Sequence, residues 1–172
     1  DRFGASERAA LRVLPFRPSA EDCSPDFPFL LITGRNLYQF NAGTMSRTSA
    51  VQPLRPTDTL DCNPADAQDL GLSGGQLVRV SSRYGAAVLP LRIDDRVQSG
   101  HLFATFHDPA VQLNALTSSF RDSVVMAPEY KRTAVRLEAA ELARVCSYVG
   151  HASYGPTCFV PWVHKRHMVP SI

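Results

Sequence analysis

Two polar stretches carry most of this sequence's capacity for chemistry. In ITGRNLYQFNAGTMSRTS, residues 32–49, hydroxyls and amides are interleaved with cations and little aliphatic bulk. Thr33, Arg35, Gln39, Asn41, Thr44, Ser46 and Arg47 supply polar side chains, while Gly34 and Gly43 let backbone approach a ligand. The second stretch, 107–131, holds His107, Asn114, Thr117, Arg121, Asp122, Tyr130 and Lys131. Hydroxyls, amides, backbone N–H groups and cations together suit phosphate, ribose and a purine base. Acids are scarce: none falls in 33–48, and 107–131 has only Asp108, Asp122 and Glu129. A carboxylate repels a phosphate, so this scarcity fits an anionic ligand.

Other chemistries find little footing. No paired carboxylates stand at a spacing for acid–base work, and no G-x-S-x-G or Cys/His arrangement marks a nucleophile. GLSGGQ at 71–76 has three glycines but lacks the Lys-Ser/Thr of a phosphate-binding P-loop, so it reads as a helix end followed by a turn. The four cysteines, Cys23, Cys62, Cys146 and Cys158, include no C-x-x-C pair. A zinc ribbon or a cysteine-ligated iron–sulfur site is therefore not expected, nor any metal ligand in this chain. Free thiols in a reducing, cytoplasmic compartment are.

The elements that must position these stretches are short. FPFLLIT (27–33) is a continuous apolar run ending at Gly34, a buried strand. DTLDC (58–62) is a second strand. In NPADAQDLG, Asn63 suits an N-cap, Pro64 the first helical position and Gly71 the residue past the C-cap, which predicts a helix of about two turns. Strands at 76–82 and 86–94 alternate with period two around RYG (83–85), a hairpin. Pro90 cannot donate to a ladder and belongs at an edge or a bulge. HLFATF (101–106) and KRTAVRLE (131–138) complete the set, with an irregular segment at 107–130 between them. About six strands and one helix point to a mostly-β barrel with a short helix or two inserted.

Three zones follow. Residues 1–26 read as a linker or the end of an upstream domain, with LRVLPF (11–16) as a possible stray strand. Residues 27–138 are the barrel. Residues 139–172 form an appended tail in which EAAELARV suggests a short helix. In that tail His164 and His167 of HKRH read as a solvated basic end. The first residue is Asp1, which suggests a fragment or a processed chain. A net charge of +2 across 172 residues gives no sign of a nucleic-acid partner, and no apolar run is long enough for a membrane segment.

TGRNLYQFNAGTMSR, NPADAQDLGLSGGQLVRVSSRYG, SGHLFATFH, NALTSS and APEYKRTAVRLE occur in this order, and together they resemble a known family. It is the molybdopterin dinucleotide-binding domain, the C-terminal domain of molybdenum and tungsten oxidoreductases of the dimethyl-sulfoxide-reductase superfamily. Within it the pieces are most similar to the formate dehydrogenase large (alpha) subunit, with assimilatory nitrate reductases as near neighbours. The resemblance implies a double-psi β-barrel that grips a molybdopterin guanine dinucleotide, the molybdenum or tungsten being held by an upstream domain. It implies that upstream catalytic and iron–sulfur domains of the same polypeptide are partners, and that this chain is not catalytically competent alone. It places Thr33, Gly34 and Arg35 against the cofactor at a strand end, and Gly43, Thr44 and Met45 close to the pterin. Gln39 and Asn41 replace histidines found in many relatives. Asn114 and Lys131 would hydrogen-bond the cofactor, Tyr130 would stack on it or donate to it, and His107 joins the same set. A non-enzymatic barrel module binding protein or nucleic acid is the alternative; it would show an exposed apolar or basic patch in place of two polar loops at one end.

Overall fold

The computed structural model describes residues 11, 13, 15, 16, 18, 19, 21–123 and 125–140. The expectations for the tail beyond residue 140, including its helix and His164 and His167, lie outside the described residues. The described positions within 11–16 carry no strand, and Leu11, Val13 and Phe16 are exposed there.

Six strands form one closed barrel. They are β1 (Phe29–Gly34), β2 (Leu60–Cys62), β3 (Leu77–Ser81), β4 (Ala86–Ile93), β5 (His101–Thr105) and β6 (Arg132–Ala139), arranged β1-β5-β2-β4-β3-β6. Parallel pairing joins β1 to β5 and β2 to β4; all other neighbours are antiparallel. These two nested parallel pairs in a closed six-stranded barrel are the double-psi architecture that the resemblance implies. Alternation supplies the core: Val78 and Val80 of β3 and Leu89 and Leu91 of β4 point inward, joined by Leu31, Leu60, Leu102 and Val135. Each leucine buried this way contributes about 1.5–3 kcal/mol. Ile93, in phase with Leu89 and Leu91, is exposed, because β4 ends there and has run past the core.

The β3–β4 register pairs Val78 with Leu89 and Leu77 with Pro90. Gly75 N–H donates to Leu91 O while Leu91 N–H donates to Gln76 O, so two residues face one, a β-bulge with Gly75 at φ +83°. Pro90 stands one residue from this bulge, and pairing with β2 begins after it, at Leu91.

Helix α1 (Pro64–Asp69) forms as the local signals dictate. The Asn63 side chain accepts from Ala65 N–H at 2.9 Å, Pro64 opens the first turn and Gly71 follows the C-cap at φ +65°. Its Ala67 is buried against the core. Asn63 Nδ2 also donates to Val97 O at 2.7 Å, and Asp66 accepts from Ser99 Oγ (2.6 Å) and Gly100 N–H (2.8 Å). The helix thereby locks the β4–β5 turn and plugs one end of the barrel.

Strand direction fixes the other end. Gly34 pairs with Thr105, and Leu60 with Ala104. The segments 35–59 and 106–131 therefore leave the barrel side by side. The β3–β4 turn, 82–85, lies at this end too, since β4 runs parallel to β2 and enters where β2 enters. Both polar stretches are thus at one mouth.

Candidate functional site

The mouth has a buried frame and an exposed rim. Asp58, fully buried, is the centre of the frame. Its carboxylate accepts from Thr105 Oγ1 (2.6 Å), His107 N–H (3.0 Å) and Asp108 N–H (3.0 Å), and His107 Nδ1 lies 2.6 Å from Oδ1. The His107 Nε2 atom is 3.0 Å from Arg55 O, and Asn36 Nδ2 is 3.2 Å from Nδ1. Both ring nitrogens are therefore engaged inside the protein, and His107 presents neither to the surface. Gln39 is spent in the same way: Nε2 donates to Arg55 O at 3.1 Å, and Oε1 accepts from Ser46 Oγ at 2.6 Å. Thr33 Oγ1 donates to Tyr130 O at 2.6 Å. Thr33, Gln39 and His107 are each 4% exposed or less, so they shape the mouth from within.

The two glycines serve the frame as well. A Cβ on Gly34 would meet Phe103 Cε2 at 2.5 Å, and one on Gly43, at φ +72°, would meet His107 O at 2.9 Å. Ring and carbonyl occupy the space that a side chain would need at these two positions. The glycines let strand pack on ring and loop pack on loop.

The rim comprises Arg35, Asn41, Thr44, Met45, Asn114, Tyr130 and Lys131, all exposed. Arg35 Nη1 donates to Asn41 Oδ1 at 3.2 Å, with Asn41 held at φ +50°. Lys131 Nζ donates to Thr33 O at 3.3 Å and lies 4.9 Å from the Tyr130 ring centroid and 5.4 Å from that of Phe106. Tyr130 meets Phe106 edge-on at 6.4 Å. The aromatic pair thus seats the ammonium beside the end of β1, next to Arg35. Asn114 stands apart, on a 3-10 turn, Leu113–Leu116, that packs on β4. In the barrel order β4 lies opposite β1, so Asn114 faces the Arg35–Lys131 side across the mouth. A cleft of about 330 Å³ opens among Arg35, Asn36, Leu37, Tyr38, Gln39, Phe40 and Ser46. It is lined by the first stretch alone.

Charge separates rim from frame. Arg35, Arg47 and Lys131 have no carboxylate partner among the described residues; their bonds go to Asn41 Oδ1, Gly43 O and Thr33 O. The acids nearby are turned to other donors. Asp108 accepts from Thr57 Oγ1 and Ala110 N–H, Asp122 from Val125 N–H and Glu129 from Ser19 Oγ. A rim of cations and amides with its carboxylates turned away is chemically suited to a phosphate-bearing anion. Among the described residues no cluster has the make-up of a metal site.

Sequence reading missed Asp58, Arg55, Asn36 and Phe106. The sequence places Asp58 at the start of a strand, and its partner His107 lies 49 residues further along. No local pattern announces such a contact.

A family model described as Molydopterin dinucleotide binding domain matches residues 29–134. F420-dependent formate dehydrogenase subunit alpha of Methanocaldococcus jannaschii is 33% identical over 133 residues, 76% of this chain and 20% of that protein. F420-dependent formate dehydrogenase 2 subunit alpha of Methanococcus maripaludis is 34% identical over 114 residues, 66% of this chain and 17% of that protein. The chain thus spans about a fifth of the length of these curated relatives. Among solved structures, acetylene hydratase from Pelobacter acetylenicus superposes with a TM-score of 0.55 over 66% of this chain and 18% of its own, at 18% identity, a likeness of fold. Matched over most of its barrel, this chain belongs to the molybdopterin dinucleotide-binding domain family, and the cofactor of that domain is a molybdopterin guanine dinucleotide.

Proposed function

We propose that this barrel holds the dinucleotide end of the cofactor in a molybdenum or tungsten oxidoreductase that oxidises formate to carbon dioxide. Catalytic and iron–sulfur domains of the same polypeptide supply the rest of the active site. The observation that carries the reading is the convergence of the two polar stretches on one barrel mouth, with Arg35, Arg47 and Lys131 unpaired with any carboxylate among the described residues. Formate as substrate rests on the likeness to formate dehydrogenase alpha subunits.

In this role Arg35 and Lys131 hold phosphate oxygens from the β1 side, and Asn41 and Asn114 offer amide donors and acceptors. Thr44, Met45 and the backbone around Gly43 border the pterin. Thr33, Gln39 and His107 act at one remove, holding both loops in place through Tyr130 O, Arg55 O and Asp58. When bound, the cofactor supplies the metal centre that accepts the substrate's electrons. The barrel's share is orientation: a frame ordered beforehand spares the ligand the entropy of ordering two loops. Among the described residues Cys23 and Cys62 are free thiols, in keeping with a cytoplasmic setting.

The test is to purify the polypeptide carrying this segment, measure molybdenum and tungsten, identify the base released from its pterin, and assay formate-driven reduction of a dye. Metal, guanine and formate turnover are expected. A preparation with neither metal nor pterin defeats the proposal, and turnover of another substrate alone defeats its formate part.

A further inference from the structure

The segment just ahead of β1, outside the stretch that matches the family model, is fastened to the cofactor mouth through Glu21, which is 3% exposed. Glu21 Oε2 accepts from Arg83 Nη1 (3.3 Å) and from Ala134 N–H of β6 (3.2 Å), and Oε1 accepts from the Tyr84 hydroxyl. Arg132 Nε donates to Glu21 O at 3.0 Å, and Arg132 also pairs with Asp22. Ser19 Oγ donates to Glu129, the neighbour of Tyr130 and Lys131. Arg83 caps the Phe27 ring at 4.9 Å, and Ser24 and Phe27 close the segment with a two-way backbone bridge.

What Glu21 grips is itself a support. The turn 82–85 carries Ser82, whose Oγ donates to Leu116 O at 2.8 Å, and Gly85, where an added Cβ would sit 2.5 Å from Ala115 O. Ala115 and Leu116 follow Asn114 directly on its 3-10 turn. One buried carboxylate thus holds the turn that backs Asn114. The same segment reaches the other end of the loop through Ser19 and Glu129.

We propose that Glu21 is a positioning residue for cofactor binding: its strap sets the geometry of the 106–131 loop, and with it Asn114 and Lys131, without touching the ligand. The proposal rests on the reading given under Proposed function. It adds that residues ahead of the family's matched stretch belong to the site's scaffold.

The experiment compares wild type, Glu21→Ala and Asn63→Ala in the full polypeptide. It reads amide hydrogen exchange segment by segment in the cofactor-free protein, and dinucleotide dissociation in the loaded one. Glu21→Ala should speed exchange across 113–131 by about tenfold, leave 60–69 unchanged and speed dissociation to a similar degree. Asn63→Ala, which loosens the opposite end, should leave dissociation unchanged. Should Glu21→Ala fail to fold, Tyr84→Phe removes one contact to the carboxylate and should raise exchange over the same segment by a smaller factor. Unchanged exchange over 113–131 overturns the relay. Raised exchange with unchanged dissociation overturns its link to the cofactor. Wild type without a dinucleotide would instead defeat the functional reading, while the exchange result still decides whether Glu21 orders the loop.

Discussion

The two ends of this barrel are built by opposite strategies. At the helix end, α1 and the β4–β5 turn are closed by neighbours in space whose polar groups satisfy one another: Asn63 with Val97, Asp66 with Ser99 and Gly100. Even the cations near that end are paired. Arg92 bonds Asp61 and Asp94, and Arg96 bonds Asp94. At the loop end a buried layer does the holding, while in the exposed layer Arg35, Arg47 and Lys131 bond an amide and two main-chain oxygens and, among the described residues, no carboxylate. Self-satisfaction marks the end that only has to be stable. Leftover donors over a satisfied frame mark the end that has to bind.

The sharpest way to break this contrast is Asp58→Ala. Three donors and an imidazole lose their common acceptor in a fully buried place, so unfolding free energy should fall by about 3–5 kcal/mol, measured by urea denaturation. A loss under 1 kcal/mol would mean the frame is ornamental. Gly43→Ala combines a left-handed φ with a Cβ at 2.9 Å from His107 O, and should cost about 2–3 kcal/mol in the same assay. If the variant is as stable as wild type, the two loops do not pack as described. Lys131→Ala touches only the rim. It should weaken dinucleotide retention by about 1.5–3 kcal/mol and leave the melting curve in place; unchanged pterin content removes Lys131 from the site.

The helix end gives smaller effects. Asn63→Ala deletes a cap and should cost about 1 kcal/mol of stability with cofactor content intact. The smallest effect is one of pH. Hydrogen bonds from Arg96, with Arg92 nearby, hold the Asp94 carboxyl well below its ordinary value. A depressed folded-state pKa stabilises fully above the unfolded value, near 3.8, and the contribution fades as pH falls towards the folded one. Asp94→Asn should therefore lower stability at neutral pH and flatten its acid dependence below that value. Because Arg96 is largely in solvent, the effect should shrink further in high salt. A wild-type acid limb unchanged by Asp94→Asn would rule the pair out.

Legibility in the sequence followed the same division. α1 could be read residue by residue, because a cap, a proline and a terminal glycine act within a few positions of one another. The β3–β4 hairpin was equally clear from its period of two, and Pro90 pointed to the bulge beside it. That the two polar stretches share a mouth is expected from their places at strand ends, and the parallel pairing of β1 and β5 upholds it. Individual roles were harder. Thr33, Gln39 and His107 have side chains fit for a ligand, and in sequence nothing distinguishes a donor facing solvent from one facing Arg55 O or Asp58. Gly34 reads as a point of close approach, and the ring that comes close there, Phe103, sits on a strand 69 residues later. Partners that distant leave no local trace.

Closure of the six strands into a ring has a further consequence. Every strand has a neighbour on both sides, so among the described residues no strand lies at the open edge of a sheet. Assembly with other folded units then favours side chains and loop tips over strand addition. A module sealed in this way can be carried by quite different host proteins without their sheets fusing to its own.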